Sequence, residues 1–110
     1  MEMFGAGGGK LPFEIHLEKL NESARTIMID LRNFVRSLGS NVIEEVRPHR
    51  VVYAKMLNFR TFLDIAPAGD SLVLLIRSGR SAPPVTATVR TPQDAENAKK
   101  QIADAYQKIQ

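Results

Sequence analysis

Phe59-Arg60-Thr61-Phe62-Leu63-Asp64-Ile65-Ala66, then Pro67-Ala68-Gly69-Asp70, then Ser71-Leu72-Val73-Leu74-Leu75-Ile76-Arg77 is the stretch on which the fold turns. Two runs rich in Val, Ile, Leu and Phe flank a segment holding one Pro and one Gly, the pattern of two strands joined by a tight turn. They are therefore expected to be antiparallel neighbours. Along the first run, strict alternation sets Phe59, Thr61, Leu63 and Ile65 on one face and Arg60, Phe62 and Asp64 on the other. Along the second, Leu72, Leu74 and Ile76 oppose Val73 and Leu75.

Working outward, Arg50 to Met56 reads as a third strand and Val85 to Arg90, which alternates apolar and polar residues, as a fourth. Ser78 to Pro84, with Gly79 and the Pro83-Pro84 pair, is a loop. Asn41 to Pro48 is polar apart from Val42, Ile43 and Val46, and Pro48 pushes Arg47 toward extended geometry without allowing a helix. Thr91, Pro92 and Asp94 start a helix: a capping hydroxyl, a proline at the first turn and a carboxylate near the positive end of the dipole. Its inner stripe is Ala95, Ala98, Ile102, Tyr106 and Ile109, and Lys99, Lys100, Asp104 and Lys108 form the solvated side.

Toward the N-terminus, Phe13, Leu17 and Leu20 share a helical face after Pro12. Asn21 and Ser23 offer cap oxygens to the next helix, whose stripe is Ile27, Leu31, Phe34, Val35 and Leu38, with Gly39 able to end it in the left-handed conformation. The expected fold is α+β: N-terminal helices, a four-stranded, mainly antiparallel sheet and a C-terminal helix, the helices packed on one sheet face. Residues 11–110 form one domain. Residues 1–10, with Gly5, Gly7, Gly8 and Gly9, are a flexible tail and no phosphate loop, since Phe4 and Leu11 stand where that motif needs Gly and Ser or Thr.

The chain has 110 residues, 44% of them hydrophobic and 25% charged, the mixture of one globular domain. Having no cysteine excludes disulfides, thiolate metal sites and a cysteine nucleophile. No apolar run approaches the roughly 18 residues needed to cross a bilayer. A cytoplasmic protein without membrane contact is expected. The net charge of +3 permits anionic partners without requiring one.

No metal, cofactor or small-molecule substrate is predicted. His16 and His49 lack a second ligand at helical spacing and read as surface or capping residues. Glu44 and Glu45 point in different directions and read as solvated loop charges, not an acid/base pair. Asp64 lacks the neighbouring acid and lysine of a nuclease site, so cross-strand pairing with an arginine explains it better.

With Leu72, Leu74, Ile76, Val85, Ala87 and Val89 as the core set, Phe62, Val73 and Leu75 fall on the opposite sheet face. Arg60, Arg77, Thr86, Thr88 and Arg90 frame them. An apolar centre with a cationic rim calls for a cover. The cover is the chain's own Phe13 to Leu20 helix, a protein partner or second copy, or nucleic acid stacked on Phe62 with Arg60, Arg77, Arg80 and Arg90 on phosphates.

The ordered residues His16 to Leu20, Leu31 to Gly39, Tyr53, Asn58, Phe59, Leu72, Leu74, Ile76, Val85, Ala87, Val89, Asp94, Ala98, Lys99, Ile102, Ala105 and Tyr106 resemble a small prokaryotic domain of unknown function. That domain is often labelled a "predicted transport protein" and is sometimes found at the C-terminus of nuclease-like proteins. The resemblance implies an uncharacterised accessory module with no assigned active site, acting through interaction, with a homodimer as one expected form. The transport label gains nothing from this sequence, which has no segment to span or line a membrane.

Overall fold

The computed structural model describes residues 11–56, 59–79 and 82–109. The predicted tail at residues 1–10 and Arg80 lie outside them. The elements run α1 (Glu14–Leu17), α2 (Glu22–Arg36), β1 (Val42–Val46), β2 (Val51–Lys55), β3 (Arg60–Pro67), β4 (Leu72–Ile76), β5 (Val85–Val89) and α3 (Pro92–Lys108). The class is α+β, as expected, but among the described residues the sheet has five strands in sequential order, all antiparallel. The additional strand is β1, which the two glutamates and Pro48 disguised. It pairs with β2 from Val42↔Lys55 to Val46↔Val51.

Local chemistry sets the helix ends. Asn21 Oδ1 accepts from the Ala24 N–H at 2.9 Å to start α2. Thr91 and Asp94 form a reciprocal capping box ahead of α3, with Pro92 in its first turn. Gly39 does not adopt the left-handed conformation expected of it; among the described residues the positive-φ glycines are Gly69 and Gly79. Glycine is needed at position 39 for space, because a Cβ there would collide with the Tyr106 hydroxyl, which donates to Asn41 Oδ1. At its other end α3 is held by Lys55, whose Nζ donates to the Ile109 carbonyl at 3.0 Å and lies 4.4 Å from the Tyr106 ring centroid.

One apolar core joins α2 and α3 to one face of the sheet. Ala24, Ile27, Met28, Leu31 and Val35 of α2 and Ala95, Ala98, Ile102 and Ala105 of α3 pack with Val51, Tyr53, Leu63, Ile65, Leu72, Leu74, Ile76 and Val89. Phe13 and Leu20, flanking α1, join this same core. The N-terminal helix therefore does not cross to the other face. The expected parity of β4 holds, with Leu72 and Leu74 fully buried and Val73 37% exposed.

His16 corrects an expectation. It is fully buried, with Nε2 2.7 Å from the Arg47 carbonyl. A carbonyl only accepts, so Nε2 carries a proton, and Nδ1 is buried with no partner among the described residues, a site that disfavours a second proton. Burial lowers its pKa below the ordinary 6.5. The ring joins α1 to the β1–β2 turn, where the Lys19 Nζ also donates to the Pro48 carbonyl at 2.7 Å.

Candidate functional site

The β2–β3 register contains the decisive irregularity. Val51↔Ile65, Val52↔Asp64 and Tyr53↔Leu63 are followed by Ala54↔Thr61, so Phe62 has no opposite number on β2. This bulge interrupts the alternation, and Phe62 joins Leu63 on the helical side. Phe62 is fully buried, its ring 5.3 Å from that of Tyr106 at 72°. Beyond the bulge the faces invert. Arg60, paired with Lys55, is carried to the helical side, while Thr61, paired with Ala54, moves to the open face.

Two expected surface residues, Arg60 and Phe62, are thus not on the open face. Phe59, expected in the core, is 74% exposed and has φ 50°, a conformation that non-glycine residues rarely adopt. In the sequence the bulge leaves only the consecutive apolar pair Phe62-Leu63, a pattern that Leu74-Leu75 shares without a bulge.

The open face retains Val73, Leu75 and Arg77 among the expected residues. On the same side lie Ile43, Val52, Ala54 and Ala66, which share the register of its neighbours, Val52 and Ala54 being buried at 4% and 7% exposure. Thr86 and Thr88 extend it along β5, and Arg90, two positions beyond Thr88, is exposed at its end. At the centre stands Asp64, 6% exposed. Arg77 Nη1 donates to its Oδ1 at 2.8 Å and Arg50 Nη1 to its Oδ2 at 3.2 Å. Asp64 has the cross-strand arginine pairing expected of it, with one partner on each side. The two guanidiniums remain partly exposed, with side-chain exposures of 49% for Arg50 and 34% for Arg77.

A cleft of about 750 Å³ lies on the β1 side of this face, with Ile43, Glu45, Val52, Ala54, Phe59 and Thr61 among its walls. It reaches round the sheet edge to Leu11, Phe13 and Arg32. Glu44 and Glu45 point to opposite faces, as the spacing requires, but Glu44 is not a solvated charge. Both of its oxygens are engaged by Arg32 at 2.8 Å, and the Tyr53 hydroxyl donates to it at 2.7 Å. Burial works against the Glu44 charge, yet these hydrogen bonds outweigh it and hold the carboxyl below its usual pKa. Burial and the adjacent carboxylate push the Tyr53 hydroxyl well above its usual value, so it stays protonated and donates. The arrangement is a closed set of mutually satisfied groups, and it ties α2 to β1 and β2.

Among the described residues no three His, Asp or Glu side chains gather as a metal site would need, and no helix is long and apolar enough to cross a membrane. Compared with known proteins, the chain matches no family model, no curated protein and no solved structure.

Proposed function

We propose that this chain is a non-enzymatic interaction module whose open sheet face binds protein, with a second copy of the chain as its simplest occupant. One observation carries the reading. Val73, 37% exposed, and the half-buried Leu75 lie on a sheet face on which no helix of the described residues packs, beside the Arg50–Asp64–Arg77 group of two cations and one anion. Apolar side chains framed by paired charges suit an interface whose middle excludes water and whose margin stays polar. Asp64 sets opposite charge between the two arginines and Phe62 is buried, which favours a protein occupant over stacked, phosphate-bearing nucleic acid. The role as an accessory module of the kind the sequence resembles is part of this proposal.

Sedimentation equilibrium over a wide concentration range tests it. Leu75→Glu is expected to lower the associated mass while far-UV circular dichroism stays unchanged. Identical concentration dependence in the two proteins, or a wild-type chain that stays monomeric at millimolar concentration, would refute self-association through this face.

A further inference from the structure

The sheet ends at β5, and this strand is built unlike the opposite edge. β1 carries Glu44 and Glu45, so that pairing with its own copy about its centre would set Glu44 against Glu44. β5 reads Val85-Thr86-Ala87-Thr88-Val89, a palindrome with no charge and no proline. Natural edges usually carry one or the other to prevent pairing. Among the described residues no strand lies beyond it.

The main-chain groups that face outward can be identified. The Ala68 N–H donates to the Ser71 carbonyl and the Arg77 N–H to the Phe62 carbonyl, each at 2.9 Å, at the two ends of the β3–β4 register. Counting by two along β4, Val73 and Leu75 direct their N–H and C=O toward β3, and Leu72, Leu74 and Ile76 direct theirs toward β5. Their partners Val89, Ala87 and Val85 are thereby satisfied. The N–H and C=O of Thr86 and Thr88 point away from the sheet.

We infer that β5 pairs antiparallel with β5 of a second copy about a two-fold axis through Ala87, joining two sheets into one. Thr86 of each chain then exchanges both main-chain hydrogen bonds with Thr88 of the other. Val85 meets Val89, Ala87 meets Ala87, and the threonine side chains meet on the open face, where such cross-strand pairs are favourable. The palindrome makes the contact self-complementary, as a two-fold interface requires.

The register is bounded on both sides. At the next outward-facing pair, Pro84 has no N–H, and the Arg90 N–H is already committed to Asp94 Oδ2 at 3.0 Å. Shifting the axis by one residue in either direction replaces one of the threonine rings with these blocked groups.

The inference concerns the sheet edge and does not rest on the open face, so it is tested in a Leu75→Glu background that removes the face contact. Leu75→Glu is expected to sediment as a dimer with slowed amide exchange at Thr86 and Thr88. Leu75→Glu with Thr86→Pro is expected to be a folded monomer, because the lost N–H points out of the sheet and every bond to β4 survives.

Register is tested by charge. Thr86→Lys with Thr88→Glu sets opposite charges across the axis and keeps the dimer. Thr86→Lys with Thr88→Lys sets like charges there and weakens it roughly tenfold relative to that pair. A monomeric Leu75→Glu protein, a dimer that survives Thr86→Pro, or equal association of the two charge variants would overturn the inference.

Discussion

Replacing Phe62 with alanine tests the bulge that shapes the open face. Phe62 is fully buried against Tyr106, so truncation removes a whole aromatic side chain from the core and leaves a cavity beneath α3. Such a change costs about 3–5 kcal/mol, of which the edge-to-face pairing accounts for about 1 kcal/mol. A domain of this size has a total stability of about 5–15 kcal/mol, so the variant gives up a large share of it. At about 4–8 °C per kcal/mol, the melting temperature falls by roughly 12–40 °C.

Urea unfolding followed by far-UV circular dichroism reads the loss directly, with a lower midpoint and an unchanged slope. The control is Phe59→Ala, which removes a side chain 74% exposed and is expected to stay within about 0.5 kcal/mol of wild type. Uninterrupted alternation predicts the reverse ranking. A Phe62→Ala loss below about 1 kcal/mol, or a Phe59→Ala loss that exceeds it, would refute the bulge.

Three other perturbations follow from the same geometry. Native His16 titrates below 6.5, so the unfolded chain binds the extra proton; stability is full above that pH and is lost as pH falls through the lowered native value. Unfolding titrations should show His16→Gln losing the part of the pH dependence between neutrality and the onset of carboxylate protonation; an unaltered profile would count against a buried neutral ring. Glu44→Gln weakens the hold on Arg32 and Tyr53 and should cost about 2 kcal/mol at neutral pH. Because the Glu44 pKa is lowered, its contribution exists above 4.5 and is lost as pH falls through the native value, so the difference between the two proteins should close in acid. Asp64→Asn leaves Arg50 and Arg77 facing each other, and since both are partly exposed the expected cost is about 1–2 kcal/mol, smaller at high salt; a salt-independent cost would argue against an electrostatic origin.

Most of the architecture was legible because periodicity was strong where burial was one-sided. The β4 alternation, the Gly69 turn, the Thr91–Asp94 cap and the α2 stripe each rest on short-range chemistry that one sequence displays. β1 was not legible, since Glu44 is drawn inward by Arg32, a residue of α2, and Asn41 to Pro48 alone reads as a polar connection. His16 was misjudged for the same reason. Its partner is the Arg47 carbonyl, 31 positions along the chain.

The site was half legible. Val73, Leu75 and Arg77 lie where alternation sets them, whereas Arg60 and Phe62 do not, because one unpaired residue inverts every face assignment on its far side. The self-complementary edge was visible as five letters, Val-Thr-Ala-Thr-Val. Its meaning depended on knowing that β5 ends the sheet among the described residues and which of its main-chain groups point outward.

Methyl NMR with a soluble paramagnetic agent, recorded from dilute to concentrated solution, tests the central claim most directly. The Val73 and Leu75 methyls should be strongly broadened when dilute and progressively shielded as concentration rises, while Leu72, Leu74 and Ile76 stay sharp throughout. Broadening of Leu74 or Ile76, or equal broadening of Val73 and Leu75 at every concentration, would contradict an open apolar face that meets a second copy.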